Sequence, residues 1–456
     1  MKKVALYTLG CKVNSYETEI MRQNFQERGY SIVPFDEIAD VYVVNTCTVT
    51  NIADRKSRQM LHRARQLNPG AAVVAVGCYV QTGHEAVEGD GGIDLAVGNK
   101  HKKDIVDIVE EYLAGRPHQG EKTLASTLLP CGGKEDVWEY EEARLKGTAE
   151  HTRAYIKIQD GCNQFCSYCV IPYARGRVRS RQAEDILREI RGMADGGYRE
   201  VVLTGIHISS YGMDFAEAAA GTGGGYGGAL LDLIERIHEI RGLDRIRLGS
   251  LEPRIVSPRT ASRMAALPKL CPHFHLSLQS GCDATLKRMN RRYTAGEYYE
   301  SVENLRRYYD EPAITTDVIV GFPQETEEEF SRTKEFLEKV RFYEMHIFKY
   351  SRRTGTAAAS MPGQVPEPVK ARRSGELLEL ERLQSREFRR RYIGREAEVL
   401  LEEECRIGGR MFHIGHTKDY VKVALEASAL PGGRRAEANT LVRVPVRSFL
   451  TDEILM

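Results

Sequence analysis

Three of the chain's ten cysteines, Cys162, Cys166 and Cys169, lie within eight residues in "IQDGCNQFCSYCVIP". Three thiolates on one loop suit three irons of a four-iron cubane, each iron needing one external sulfur, and leave the fourth iron open to a chelating ligand. Structural zinc asks for a fourth Cys or His close by, and the next histidine, His207, lies beyond a whole helical segment. Cys11, Cys47 and Cys78 are far apart, yet each ends a short apolar run, in "TLGC", "VNTC" and "AVGC". If those runs are parallel strands, their carboxyl ends share one rim and the three sulfurs meet there. A lone cysteine at a strand end is usually packing; three at equivalent ends read as a second cluster site, again with one open iron. The spacings of Cys131, Cys271, Cys282 and Cys405 suggest no site.

The elements that would hold these sulfurs are legible in the hydrophobic pattern. Over residues 1–113, "VALYTLG", "VYVVNT" and "AAVVAVG" are β-branched and almost wholly apolar, as strands buried on both faces are. Helix-like "SYETEIMRQNFQERG" and "DRKSRQMLHRARQLN" separate them, which predicts an open parallel α/β sheet. Residues 114–147 read as a linker with an acidic run and the single Trp. Over 148–380, six strand candidates alternate with helices, from "AYIKIQ" to "EMHIFKYS". Six units are too few for an eight-stranded barrel, so a partial (βα)6 barrel is expected. The stretch "GTGGGYGG" near residue 225 reads as a surface insertion. Residues 366–393 form a long charged helix stopped by Gly394. In "TLVRVPVRSF", Val442, Val444 and Val446 alternate with Arg443, Pro445 and Arg447, which makes 381–456 a small β-barrel.

The 456 residues carry 65 Lys+Arg against 64 Asp+Glu, so bulk charge announces no nucleic-acid partner and any basic surface must come from clustering. No apolar run is long enough for a membrane span. The opening "MKKVALYTLGCKVNS" reads as a buried strand, its apolar run ended too early for a secretory signal. The chain is read as cytoplasmic, where cysteines are thiols or metal ligands rather than disulfides.

"GCNQFCSYC" after the first strand of a (βα)6 run resembles the radical S-adenosylmethionine superfamily. The resemblance implies that S-adenosylmethionine chelates the open iron of the cluster held by Cys162, Cys166 and Cys169, and that Tyr168 faces its adenine. It also implies contacts from Thr204 and Gly205, Ser250 and Glu252, Gln279, and Gly321. The superfamily's usual glycine–glutamate phrase is missing after "VLTG", where His207 stands instead. Two three-cysteine sets followed by a small barrel are similar to the methylthiotransferases, which insert sulfur at an unreactive C–H and methylate it. That resemblance implies two 4Fe-4S clusters, S-adenosylmethionine, tRNA as substrate, a flavodoxin- or ferredoxin-like electron donor, a monomer, and a terminal TRAM domain, OB-like and RNA-binding. "LGCKVNSYE" resembles the branch acting at C2 of N6-threonylcarbamoyladenosine beside the anticodon. The rival substrates are N6-isopentenyladenosine in tRNA and a ribosomal-protein aspartate. From another class, a non-catalytic iron–sulfur protein that binds RNA or passes electrons is the alternative.

The basic clusters bear on the partner. In "YARGRVRSRQ", Arg175, Arg177, Arg179 and Arg181 share one side if the chain is extended, and they read as RNA contacts despite the usual role of a charge run as a solvated edge. "KRMNRRYT" adds Arg292, and "REFRRRY" a third cluster. A threonylcarbamoyl group ends in a carboxylate, which a pocket cannot bury unpaired; Arg175 and Arg292 are the candidates to meet it.

Overall fold

The computed structural model describes residues 1–115, 123–124, 140, 144–145, 147, 152–215, 226–426 and 437–456. Cys131, the acidic run around Trp138 and most of the glycine-rich stretch 221–228 lie outside the described residues.

The first sheet is built from β1 (Lys3–Thr8), β2 (Ser31–Ile32), β3 (Val41–Thr46), β4 (Ala72–Gly77), β5 (Leu95–Val97) and β6 (Thr123–Leu124). Every pairing is parallel and the order is β2-β1-β3-β4-β5-β6. Alternate residues of β3 and β4 feed two separate cores, Tyr42, Val44, Val73 and Ala75 on one face and Val41, Val43, Val74 and Val76 on the other. Helices α1 (Lys12–Glu27), α2 (Asn51–Leu67), α3 (Cys78–Thr82), α4 (His84–Glu88) and α5 (Ile105–Ala114) connect and cover the strands. The strand order reverses between β1 and β3, and that reversal opens a crevice outside their carboxyl ends.

The second unit contains β7 (Ala154–Asp160), α6 (Ile171–Arg175), β8 (Arg179–Ser180), α7 (Ala183–Asp195), β9 (Glu200–Gly205), α8 (Gly228–His238), β10 (Arg245–Leu248), α9 (Pro258–Ala265) and β11 (His273–His275). It continues through α10 (Asp283–Arg288), α11 (Ala295–Tyr308), β12 (Ala313–Val320), α12 (Glu327–Val340) and β13 (Glu344–Lys349). Strands β7, β9 and β10 pair in parallel, as do β11, β12 and β13, and isolated parallel bridges at Ile246–Leu270 and Leu251–Leu276 join the two sets. The result is the expected open barrel of six parallel strands. Residues such as Ile156, Leu203, Ile246, Phe274, Val318 and Met345 pack outward into the helix-covered core. Their neighbours in sequence therefore face the barrel's inner wall.

Helix α1 belongs to both units: Tyr16 and Ile20 pack into the barrel's core, whereas Met21 and Phe25 pack against the first sheet. Helix α13 (Glu367–Arg390) then leads to β14 (Glu396–Ile407), β15 (Arg410–His416), β16 (Lys422–Glu426), β17 (Leu441–Pro445) and β18 (Ile454–Leu455). These form one sheet, antiparallel apart from β16–β18, with Gly408 and Gly409 both at positive φ in the tight β14–β15 hairpin. As expected, Val444 and Val446 are buried while Arg443, Pro445 and Arg447 are exposed. The sheet docks on the amino-terminal end of the barrel. Arg245 and Arg247, buried on β10, donate to the carbonyls of His416, Glu398, Thr417 and Lys418, and the guanidinium groups of Arg153 and Arg247 each sit 4.8 Å from the Tyr420 ring centroid.

The basic segment after Cys169 departs from the extended reading. Residues 171–175 are helical, and Arg175 and Arg181 point into protein. Arg175 is 0% exposed and donates to Glu17 (2.8 Å), Asp160 (3.2 Å) and Asn14 Oδ1 (2.7 Å). Arg181 is 1% exposed and paired with Glu189. Both are buried and ion-paired with internal acids, so neither presents a cation to RNA or to a substrate carboxylate at the surface. Arg179 is half-buried on Asp160 and on two backbone carbonyls. Arg177 and Arg292 are exposed.

Two cysteine sites and the crevice between them

Cys11 caps α1, Cys47 follows β3 and Cys78 opens α3, so all three stand on the carboxyl rim that the strand reversal creates. Two buried asparagines lace that rim together. Asn14 donates to the carbonyls of Leu9 (2.7 Å) and Thr46 (3.0 Å), and Asn45 donates to the Asn14 carbonyl (3.0 Å) and Thr18 Oγ1 (3.0 Å). The approach is so close that a Cβ on Gly10, at φ +99°, would lie 2.8 Å from Cys47 Sγ. Cys11 and Cys78 both act on Cys47 electrostatically. Burial, more than those neighbours, pushes the Cys47 thiol up to about 11. Asn99 Nδ2 approaches Cys78 Sγ at 3.6 Å and donates to the Ala174 carbonyl at 2.8 Å, tying this site to α6.

The second set lies on the loop after β7. Gly161, at φ +70°, has the carbonyl of Arg177 where a Cβ would be, so only glycine turns the chain here. The loop is pinned from the far side of the barrel: Ser167 N donates to the Met289 carbonyl (3.0 Å), and Asn290 Nδ2 to that of Phe165 (2.8 Å). Burial raises Cys162 to about 11 and Cys169 to about 12. Such thiols are protonated at neutral pH, and a metal must displace the proton on binding.

A cavity of about 160 Å³ opens beside this loop. It brings together Cys162, Cys166, Cys169, Tyr168, Ser250 and Glu252. Thr204 is buried on β9 and Gly205 abuts Gln159; Gln279, at φ +73°, exchanges backbone hydrogen bonds with β12, and Gly321 packs on Lys370. None of these four lines the cavity. Two residues that do line it carry no clear signal for this site in the sequence. Arg291, rather than its neighbour Arg292, donates to Cys166 Sγ at 3.3 Å and to Tyr293 OH at 2.9 Å. His207 presents a buried Nε2 with no hydrogen-bond partner, and burial lowers its pKa to about 4. Position in a basic run could not separate Arg291 from Arg292; the only signal for His207 was its place in the missing glycine–glutamate phrase.

Both donor sets suit iron–sulfur clusters. Each offers three thiols, and at the second a guanidinium meets one sulfur while the His207 imidazole, its Nε2 3.6 Å from Glu252 Oε2, lines the same cavity. Between the sites runs a buried ionic network. Burial alone would raise Glu17, but Arg175, Lys102 and Lys157 outweigh it and hold its carboxyl well below the usual range. Lys157, Arg175 and Arg179 do the same for Asp160. Four cations thus surround two carboxylates. The cationic surplus lies where thiolates would add negative charge, since the Arg175 field reaches Cys11 and Cys78.

Residues 156–337 match the Radical SAM superfamily and residues 3–98 the Uncharacterized protein family UPF0004. The chain is 38% identical to the threonylcarbamoyladenosine tRNA methylthiotransferase MtaB of Bacillus subtilis (strain 168), over 94% of this chain and 91% of that protein. The chain belongs to the radical S-adenosylmethionine methylthiotransferases. A second relative in this methylthiotransferase family, the protein of the same name from Aquifex aeolicus (strain VF5), is 40% identical over 89% of this chain and 94% of its own length. The tRNA-2-methylthio-N(6)-dimethylallyladenosine synthase of Moorella thermoacetica is 34% identical over 88% and 87%. The fold is shared with the radical S-adenosylmethionine methyltransferase TsrM from Kitasatospora setae, at a TM-score of 0.55 and 15% identity, covering 78% of this chain and 74% of that one.

Proposed function

We propose that this methylthiotransferase acts at C2 of N6-threonylcarbamoyladenosine beside the tRNA anticodon, giving the 2-methylthio nucleoside. The observation that carries the reading is the pair of three-thiol sites on neighbouring strand-end rims, joined through Asn99, Ala174 and Arg175. In this reading Cys162, Cys166 and Cys169 hold one 4Fe-4S cluster and Cys11, Cys47 and Cys78 the other. When bound, the clusters and S-adenosylmethionine supply radical hydrogen abstraction, sulfur insertion and methyl transfer, chemistry beyond the reach of a side-chain base.

The chain's own residues position and exclude. Glu252, held by Tyr226 and Arg254, offers a fixed acceptor at the radical site, and Arg291 a fixed donor for a carboxylate. Tyr168, edge-on to Phe322 at 6.3 Å, forms an aromatic wall against a base. The Asn14–Asn45 lacing fixes the strand ends that carry the other sulfurs. Arg177 and Arg292 are the phosphate contacts retained from the basic clusters, and the terminal sheet adds Arg443 and Arg447. A monomer working in the cytoplasm with a flavodoxin- or ferredoxin-like reductant completes the proposal; among the described residues no helix is long and apolar enough to cross a membrane.

The test is nucleoside mass spectrometry of tRNA from a strain lacking the enzyme. Restoring this chain should restore 2-methylthio-N6-threonylcarbamoyladenosine, and a chain with Cys162, Cys166 and Cys169 changed to Ala should not. Restoration of only the isopentenyl product would assign the neighbouring substrate.

A further inference from the structure

We propose that His275, Asp317 and His346, on the inner wall of the open barrel, form a site for a divalent first-row transition-metal ion, separate from both cysteine sets. Neither the radical chemistry nor the proposed substrate recognition uses these three side chains.

Strand register brings the three together. They stand on the adjacent parallel strands β11, β12 and β13, where His275 pairs with Thr315 and Asp317 with His346. Phe274, Leu276, Val318 and Met345, their neighbours in sequence, pack outward into the core, so His275, Asp317 and His346 face inward. Ligand atoms of all three lie within 4.8 Å of one another. His275 Nε2 is 3.3 Å from Asp317 Oδ2. Two donors held at about 2.1 Å by one ion, at angles between square and tetrahedral, stand about 3.0–3.4 Å apart, so this pair is spaced as co-ligands. The other ring nitrogen, Nδ1, is 3.0 Å from Thr315 Oγ1. A hydrogen bond donated there by the ring turns the Nε2 lone pair toward the ion, as the outer partner of a metal-bound histidine does. His346 is exposed, stacks on His275 at 5.9 Å between centroids, and forms no hydrogen bond among the described residues, so its ring can turn onto the ion.

Charge and access both suit a cation. Burial alone would raise the Asp317 carboxyl, but His275 outweighs it and holds it below the usual range. One carboxylate and two neutral imidazoles make a donor set with a single negative charge, ready for a dication. His346 also lines a cavity of about 750 Å³ that carries six carboxylates. Three of them, Glu381, Glu403 and Glu453, form no ion pair among the described residues, and their field draws cations inward. Two imidazoles and one carboxylate suit iron, cobalt or zinc rather than magnesium or calcium, which take oxygen sets. Three protein donors leave positions open for water or for an oxygen of a bound molecule. Ser277, two residues beyond His275, lines the cavity beside the cysteine loop, so the ion would lie just below the radical site.

The test is equilibrium dialysis of the anaerobically reconstituted enzyme against cobalt(II), with cobalt and iron both counted by mass spectrometry. Filled clusters keep the six thiols from taking the added metal. Wild-type enzyme should bind about one cobalt per chain beyond its iron. Asp317→Asn and His346→Ala should each weaken that binding more than about 100-fold, and Thr315→Val, which removes only the outer hydrogen bond, about tenfold, with iron content unchanged. His346 is exposed, so His346→Ala leaves the packing intact and decides the matter should Asp317→Asn fail to fold. Glu403→Gln, at the carboxylate-lined cavity, should retain the cobalt. Cobalt held equally by wild type and His346→Ala, or lost with Glu403→Gln instead, would overturn the proposal, as would wild-type enzyme that binds none.

Discussion

At the scale of residues, the close approach of Gly10 to Cys47 makes a sharp demand. Gly10→Ala would place a methyl group against the sulfur on a backbone at φ +99°. The reconstituted variant is expected to keep about half the iron of wild type and to cleave S-adenosylmethionine normally; full iron would mean that Cys11, Cys47 and Cys78 hold none. Arg175→Met strands Glu17 and Asp160 without their shared guanidinium. A loss of about 3–5 kcal/mol is expected from urea unfolding, as for other broken buried pairs. His207 gives a pH dependence of stated sign. Its pKa is about 4 in the fold against 6.5 when unfolded, so between those values the unfolded chain holds the extra proton. Stability is fully present above pH 6.5 and falls by about 3 kcal/mol toward pH 4. In cluster-free protein, His207→Gln should flatten that part of the urea midpoint profile; coincident profiles would contradict it. The grouping of Cys162, Cys166 and Cys169 was legible from local spacing, and that of Cys11, Cys47 and Cys78 from their places at the ends of three apolar runs. Arg175 and Arg181 were misread because their partner acids, Glu17 and Glu189, lie on other elements, and periodicity says nothing about what stands opposite.

At the scale of elements, the strands and helices around the sites follow their apolar patterns closely. "VYVVNT" is β3 and "EMHIFK" is β13. The hairpin strand β15 was missed although Gly408–Gly409 marks its turn. Not legible was where the terminal sheet docks, because that depends on Arg245, Arg247 and Tyr420 meeting across 171 residues or more of chain. The consequence is practical. Deleting the terminal sheet would expose two buried arginines and destabilise the barrel, so its role in RNA binding is tested on its outer face. Changing Arg443 and Arg447 to Ala should weaken tRNA binding and lower the slope of log K against log salt by about one for each phosphate left without its arginine, with the urea midpoint unmoved. An unchanged slope would remove this face from the interface.

At the scale of the whole molecule, α1 joins the parts: Cys11 caps it at the carboxyl rim of the first sheet, and its buried face belongs to two cores. Two three-thiol sites thus lie on either side of one buried ionic network centred on Arg175, Glu17 and Asp160. The most direct measurement offers the anaerobically reconstituted enzyme, with S-adenosylmethionine, sulfide and reductant, an equimolar mixture of two tRNAs alike except for threonylcarbamoyl or isopentenyl at N6. Mass spectrometry of the digested nucleosides should find 2-methylthio-N6-threonylcarbamoyladenosine in at least about tenfold excess, the ratio for about 1.4 kcal/mol of selectivity. Equal products, or an excess of the isopentenyl product, would contradict the account.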